Sequence, residues 1–186
     1  DFRRVLFRSR ALEVAYQEVA AGTPLPDTRA DALAALAEAW HKEELPDDEA
    51  RLADVESLVT DAIAGDPIGV GEILGVEQYF RATMGDGLRF GGFADLVLRR
   101  ADATVEIVDH KVTRHARTAE QLREDRRLNL YGQFALLRYP WAKRVVVTHH
   151  YPPLRTTVSA ELDPATMRAT VDGLVAIATR AQADTE

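Results

Sequence analysis

Residues 88–112 have the sequence LRFGGFADLVLRRADATVEIVDHKV and decide the fold that we predict for this chain. Two β-like runs are separated by the polar segment Arg99–Asp102, a pattern typical of a β-hairpin. Side chains alternate between the two faces of a strand. Asp109 and Lys111 in the second run therefore point the same way, and Asp95 lies on the neighbouring strand.

These three side chains suit a metal-dependent reaction on a phosphate ester. Two carboxylates, Asp95 and Asp109, can hold Mg²⁺ together with water and a phosphate oxygen, because this ion prefers oxygen ligands and keeps several waters. Lys111 can orient or deprotonate an attacking water, or stabilise the negative charge of the transition state. The alternative is structural, with Asp109 and Lys111 as an ion pair at a strand end and Asp95 as a polar residue near a turn.

The wider sequence resembles the PD-(D/E)XK nuclease superfamily, in particular its RecB-like domains. The family pattern is G-x-x-D, then a hydrophobic strand ending in (D/E)-x-K, then a helix with Q-x-x-x-Y. Gly92–Asp95 matches the first element. Asp109 and Lys111 match the second, and Tyr131 matches the last. The resemblance extends from about Arg10 to Arg180.

The resemblance implies roles for the matching residues. It implies that Mg²⁺ or Mn²⁺ is held by Asp95, Asp109 and the backbone carbonyl of His110. Lys111 would position the attacking hydroxide and Tyr131 would complete the catalytic set. The alternative for Tyr131 is a residue of the hydrophobic core.

Three further positions are relevant to metal binding or substrate binding at the predicted site. The first helix of RecB-like domains often has the form H-x-x-L-E, and SRALE matches it with Ser9 in place of the histidine that would join the metal site. Arg127 stands where the family usually has glutamine, and an arginine there can hold a phosphate with its planar guanidinium group. Glu77 resembles an acidic residue that supports the metal ligands from the preceding strand; a solvent-facing glutamate is the alternative.

The formal net charge of −7 is unfavourable for a nucleic-acid enzyme, since affinity comes from neutralising phosphates. Basic residues are nevertheless concentrated between Lys111 and Arg127, beside the predicted site, whereas acidic residues cluster in Asp27–Glu77. We predict that Arg114, Arg117 and Arg127 bind substrate. The alternative is an ordinary solvated helix face.

Apolar periodicity predicts the remaining elements. Helices are predicted at Arg10–Ala21, at Arg29–Lys42, from Asp47 or Asp48 to Ala64, at Thr118–Arg138 and up to Ala183 after a cap at Asp163. Strands are predicted at Gly75–Met84, Ala142–His150 and Leu154–Leu162, with a tight turn at Asp86-Gly87. His149 and His150 are predicted to be polar residues at the edge of the sheet, on opposite faces.

This order predicts a single α/β domain with a mixed central β-sheet flanked by helices. The restriction-endonuclease-like nuclease core would occupy residues 75–186, after an N-terminal helical segment at residues 10–65. Residues 1–9 have no clean period and resemble the translation of a sequencing adapter, so we expect them to be non-native or disordered.

The length and composition of the chain limit the classes of protein to which it can belong. With 186 residues and 46% hydrophobic content, the chain can bury a sizeable core. The absence of cysteine excludes disulfides and the iron-sulfur cluster that some RecB-like domains hold. Because there is neither a long apolar run nor a secretory pattern, we expect a cytoplasmic protein without membrane contact.

The expected function is therefore that of a Mg²⁺-dependent deoxyribonuclease, an exonuclease rather than an endonuclease. The resemblance implies a role in DNA-end processing, repair or defence, with DNA and a helicase or other larger assembly as partners. The alternative is a catalytically impaired nuclease-fold module that binds nucleic acid or a protein. Ser9, Arg127 and the acidic net charge favour this alternative.

Overall fold

Strand β3 (Thr104–His110) lies at the centre of a five-stranded sheet in the computed structural model, which describes residues 2–42, 49–84 and 88–183. The other strands are β1 (Glu72–Met84), β2 (Leu88–Arg100), β4 (Arg144–Tyr151) and β5 (Thr156–Glu161). Their spatial order is β1-β2-β3-β4-β5, and β3–β4 is parallel whereas the other neighbours are antiparallel. The predicted mixed sheet is thereby confirmed.

Six helices surround this sheet in the described part of the chain. They are α1 (Phe2–Ala20), α2 (Arg29–Lys42), α3 (Glu49–Ala64), α4 (Ala119–Arg123), α5 (Arg126–Arg138) and α6 (Pro164–Ala183). The predicted turn at Asp86-Gly87 and the predicted helix start at Asp47 or Asp48 lie outside the described residues.

The single helix predicted at Thr118–Arg138 is wrong, because two helices occupy this segment. Asp125 starts the second of them: its Oδ1 accepts hydrogen bonds from the backbone N–H groups of Arg127 and Leu128. This capping satisfies donors that a helix start leaves without partners. An amphipathic pattern does not distinguish one long helix from two short helices that share an apolar face.

Two hydrophobic cores cover the two faces of the sheet. One core joins Leu96, Leu98 and Val108 of the sheet to apolar residues of α1, α2 and α3. The other joins Val97, Val105, Ile107, Val145 and Val147 of the sheet to apolar residues of α4, α5 and α6. Because β3 is buried on both faces, polar side chains reach a cleft only near its carboxyl end.

A buried ion pair connects the sheet to the loop after α3. Arg100 Nε donates to Glu106 Oε2 at 2.5 Å, and its terminal nitrogens donate to the carbonyls of Ile68 and Pro67. Thr148 Oγ1 donates to the other oxygen of Glu106. Arg100 therefore satisfies several acceptors that lie away from water.

We expect Arg100→Ala to lower the free energy of unfolding by about 2–3 kcal/mol, because it leaves the buried Glu106 carboxylate without its cation. The matched control is Arg99→Ala, which removes an exposed ion pair with Glu72 and should cost less than about 1 kcal/mol. Urea denaturation measures both values. Equal losses in the two variants would contradict this account of the ion pair.

Candidate active site

Four polar residues lie at one level across strands β1 to β4. The β2–β3 register continues from Leu96–Val108 so that Asp95 comes level with Asp109. The parallel β3–β4 register pairs Asp109 with His149. On the other side, Glu77 comes level with Asp95. Strand pairing therefore assembles a polar row, which consists of Glu77, Asp95, Asp109 and His149.

Asp109 lies close to three nitrogen-bearing side chains. Its side chain is 13% exposed, and Lys111 Nζ contacts its Oδ2. Arg127 approaches Oδ1, with an N···O distance of 3.6 Å, and His149 Nε2 lies 3.6 Å from Oδ2. The ion pair between Asp109 and Lys111, which the sequence suggested as the structural alternative, is present and lies beside two further nitrogen groups.

Asp95 connects the polar row to helix α1. Its Oδ2 accepts a hydrogen bond from the backbone N–H of His110 at 2.7 Å. Asp95 also lines a small cavity together with Ser9, Glu13 and Glu77. Glu77 has a φ of 46°, an unusual backbone conformation for a residue with a side chain. Ser9, where the motif histidine was expected, therefore lies beside the same cavity as Asp95.

Tyr131 packs over the predicted site from α5. Its ring is buried, and the guanidinium carbon of Arg127 lies 5.9 Å from the ring centre. Burial raises the pKa of the Tyr131 hydroxyl; Arg127 opposes this shift, and the carboxylates of Asp109 and Asp95 add to it. The hydroxyl is therefore neutral at physiological pH and lies within the electric field of both aspartates.

Gly92 makes room for the Tyr131 hydroxyl. A Cβ atom at position 92 would lie 2.2 Å from this oxygen and 2.8 Å from two ring carbons. A Cβ at the neighbouring Gly91 would lie 2.5 Å from the hydroxyl of Tyr79, whose side chain is half exposed. The first and last elements of the sequence pattern are thus joined by a close contact.

His149 is the site residue whose role sequence reasoning missed. The prediction of an edge residue is wrong, because β4 lies between β3 and β5 and His149 is 2% exposed. Burial lowers the pKa of the imidazole to about 4, although Asp109 opposes the shift. The prediction that the two histidines face opposite ways is confirmed, since His150 Nδ1 contacts His110 Nδ1 at 3.0 Å. The signal for His149 would have been its pairing with Asp109 on the neighbouring parallel strand β3. The sequence around His149 does not reveal this pairing, because β3 lies far from it along the chain.

A cleft of about 300 Å³ opens beside Asp109 and Lys111. Its lining consists of Lys111, Thr113, His115, Arg117, Asp125, Arg127, His149 and Tyr151. Of the predicted substrate-binding residues, Arg117 and Arg127 line this cleft, whereas Arg114 is exposed outside it. The lining has more basic side chains, Lys111, Arg117 and Arg127, than acidic ones, Asp125, so the cleft suits an anionic ligand.

Arg117 is held in place by Asp125 and Tyr151. Its guanidinium lies 2.5 Å from Asp125 Oδ2, and its backbone N–H donates to Tyr151 Oη at 2.9 Å. Burial alone would raise the pKa of Asp125, but hydrogen bonds from Arg117 and from the backbone of Leu128 and Arg127 hold this pKa below its usual value. The helix cap and the cleft therefore share one ionised carboxylate.

The donor set can accommodate a divalent cation. Asp109 Oδ2 is buried and contacts the Lys111 ammonium, and the buried His149 Nε2, which has no hydrogen-bond partner, lies 3.6 Å from this oxygen. Within residues 2–42, 49–84 and 88–183, no group of three or more His, Asp or Glu side chains is arranged to hold a metal ion. Mg²⁺ commonly binds through one or two carboxylates and keeps several waters, so a small set of protein ligands suffices.

The arrangement of sheet, helices and polar row defines an α/β domain of the restriction-endonuclease-like class. The model of the PD-(D/E)XK nuclease superfamily matches residues 10–173 of this sequence, and the chain belongs to this superfamily. The resemblance at the level of the superfamily is thereby confirmed.

Other comparisons add little to this assignment. No curated protein sequence matches the chain. One similar solved structure is described as "Crystal structure of SSO0001"; it shares 15% sequence identity and a TM-score of 0.38, and the match covers 93% of this chain and 74% of that chain. A likeness this distant carries no inference. In the described parts of the chain, the helices lack the length and apolarity that a membrane span requires.

We expect Gly92→Ala to destabilise the fold by about 1–3 kcal/mol, because the new methyl group collides with the buried Tyr131 ring. Gly91→Ala is the matched control, since the half-exposed Tyr79 can move away and the cost should be near zero. Thermal and urea unfolding of both variants measure the difference. A Gly92→Ala variant as stable as Gly91→Ala would contradict the proposed fit between Gly92 and Tyr131.

We expect His149 to make the fold sensitive to mild acid. Its pKa is about 4 in the folded chain and about 6.5 when unfolded, so between these values the unfolded state binds more protons. Stability should therefore fall as the pH drops from 6.5 to 4, by about 3 kcal/mol at most from this residue.

The measurement is urea denaturation with EDTA at several pH values, comparing the chain with His149→Gln. The variant should lose less stability between pH 6.5 and 4, whereas the exposed-residue control His41→Gln should match the unmodified chain. Parallel pH profiles for all three proteins would refute the assignment to His149.

Proposed function

We propose that this chain is a metal-dependent nuclease of the RecB-like type that hydrolyses phosphodiester bonds in DNA. The observation that carries the proposal is the Asp109–Lys111 pair, which lies at the mouth of a basic cleft in a chain of the PD-(D/E)XK nuclease superfamily. The proposed role is DNA-end processing, repair or defence, by exonuclease action. A helicase or other larger assembly is proposed as a partner.

The proposed ligands of Mg²⁺ or Mn²⁺ are Asp95, Asp109 and the backbone carbonyl of His110. A bound ion of this kind would lower the pKa of water and stabilise charge on the phosphate oxygens. Asp109 supports this assignment because its carboxylate is mostly buried and the unpaired His149 Nε2 lies 3.6 Å from its Oδ2. Asp95 supports it because the sheet register brings it level with Asp109. We further propose that Glu77 orients Asp95 from the adjacent strand.

Lys111 is proposed to position the attacking water. Its ammonium contacts Asp109 and its side chain is partly exposed to the cleft, so it can reach both a water and a phosphate. Attack on phosphorus would expel the 3′ oxygen and leave a 5′ phosphate. Tyr131, held against Gly92, would limit the space beside the reacting phosphate.

Substrate contact is proposed for Arg117 and Arg127 within the cleft and for Arg114 at its exposed approach. The Arg127 side chain is half exposed and already lies 3.6 Å from Asp109 Oδ1, so its guanidinium can shift to a phosphate. Arg117 is paired with Asp125, which fixes its position but reduces its free charge. Phosphate binding in the cleft would therefore depend mainly on Lys111 and Arg127.

A second candidate is a nuclease-fold module that binds nucleic acid without cutting it. Two observations favour it: Ser9 supplies a hydroxyl where an imidazole was expected, and Asp109 is already in contact with Lys111 and Arg127. Cleavage assays separate this candidate from an active nuclease, because both candidates bind DNA but only the nuclease cleaves it.

We expect the chain to cleave labelled single- or double-stranded DNA with Mg²⁺ or Mn²⁺, and Lys111→Ala to lower the rate by at least about a hundredfold. Lys143→Ala, which removes an exposed lysine away from the cleft, should retain the activity. Gel or fluorescence assays at equal protein concentration measure the rates, and circular dichroism checks folding.

A version with Ser9→His tests the amino-terminal position in the same assay. Activity that appears only in this version would support the nuclease site and locate the defect at Ser9. If no version cleaves although every version folds, the enzyme proposal fails and the binding module remains. Equal activity in the Lys111→Ala and Lys143→Ala variants would refute the role of Lys111.

A further inference from the structure

We infer that His149 Nε2 is a nitrogen ligand of the divalent ion that Asp109 is proposed to bind. This inference rests on the proposed function. Both atoms are buried, and His149 Nε2 has no hydrogen-bond partner, whereas Asp109 Oδ2 contacts the Lys111 ammonium. Buried polar groups almost always have a partner, so an unpaired Nε2 beside a carboxylate oxygen points to a cation that both atoms would bind. A cation satisfies a carboxylate oxygen and an imidazole nitrogen at the same time.

The distance between these atoms agrees with a shared ion. His149 Nε2 and Asp109 Oδ2 are 3.6 Å apart, which is too long for a direct hydrogen bond. Two ligands at about 2.1 Å from one ion lie about 3.0–3.4 Å apart in octahedral or tetrahedral geometry. A shift of a few tenths of an ångström in either side chain would bring both into coordination distance.

The other nitrogen of the ring is held by Tyr151. His149 Nδ1 and Tyr151 Oη are 3.1 Å apart, and both side chains are buried. This contact permits the tautomer in which Nδ1–H donates to Tyr151 Oη, and in that tautomer Nε2 presents its lone pair to an ion bound beside Asp109. Histidines that bind metals usually donate their second ring N–H to such a fixed partner, which sets the orientation of the ring.

An ion can reach this position through the cleft, whose lining includes His149 and Lys111. Lys111 Nζ contacts Asp109 Oδ2, the same oxygen that the ion would bind. Ion binding therefore requires the flexible lysine side chain to move away from Oδ2. This movement would turn the ammonium towards the cleft, where the proposed substrate phosphate lies.

A nitrogen ligand has a consequence for metal preference. Mg²⁺ favours oxygen ligands, whereas affinity at sites with imidazole rises from Mn²⁺ towards the later transition metals. Loss of the imidazole should therefore weaken Mn²⁺ binding more than Mg²⁺ binding. Carboxylates alone would not produce this difference between variants.

Mn²⁺ binding measured by electron paramagnetic resonance tests the inference without any activity assay. The set comprises the unmodified chain, His149→Gln, Asp109→Asn and the exposed control His41→Gln. We expect His149→Gln to weaken Mn²⁺ binding by about tenfold or more, and His41→Gln to match the unmodified chain. Competition with Mg²⁺ should show a smaller loss for Mg²⁺ in His149→Gln.

Electron spin echo modulation of the Mn²⁺-loaded, unmodified chain and of His149→Gln gives a second readout, which detects a coordinated nitrogen directly. Coupling to an imidazole nitrogen, lost in His149→Gln, supports the inference. Bound Mn²⁺ without nitrogen coupling, or with coupling that persists in His149→Gln, overturns it. If Asp109→Asn abolishes binding while His149→Gln leaves it unchanged, the inference fails and the proposed metal site stands. If the unmodified chain binds no Mn²⁺, both fail.

Discussion

The parallel pairing of β3 with β4 is the constraint on which the candidate site depends. Parallel neighbours have their carboxyl ends at the same edge of the sheet, which brings Asp109 beside His149. Parallel strands also need a long crossover connection, which here contains α4 and α5. That connection carries Arg117, Arg127 and Tyr131 to the same end of the sheet. A single strand pairing thus gathers groups that lie as far as forty residues apart in sequence.

Burial of β3 on both faces explains why its last two residues have different surroundings. Asp109 faces α5 and the basic cleft, whereas the His110 side chain contacts Tyr16 and His150 on the α1 side. A mostly buried carboxylate is costly unless cations or hydrogen bonds compensate for lost hydration. Lys111 provides that compensation at Oδ2 of Asp109, and Arg127 provides it near Oδ1. The same requirement places positive charge where an anionic ligand would enter.

The sequence was informative where the physical signal is local. Alternation along the 88–112 stretch predicts the hairpin, and the shared face of Asp109 and Lys111 becomes a direct contact in the structure. The helix break at Asp125 escaped prediction because its capping hydrogen bonds do not alter the apolar period. The position of His149 escaped prediction because it depends on a parallel partner, and the two strands are separated by a crossover. Local patterns cannot identify such a partner.

A net charge of −7 and a basic cleft are compatible, because salt screens the interactions between distant exposed charges. At physiological ionic strength, exposed charges more than about 8 Å apart are largely screened from each other. A phosphate inside the cleft would therefore interact mainly with Lys111 and Arg127, because Asp125 pairs with Arg117, and only weakly with acidic groups elsewhere on the chain. An anionic ligand that is still far from the cleft is hardly attracted by the protein as a whole. The cleft can therefore attract an anion at short range even though the chain as a whole is acidic.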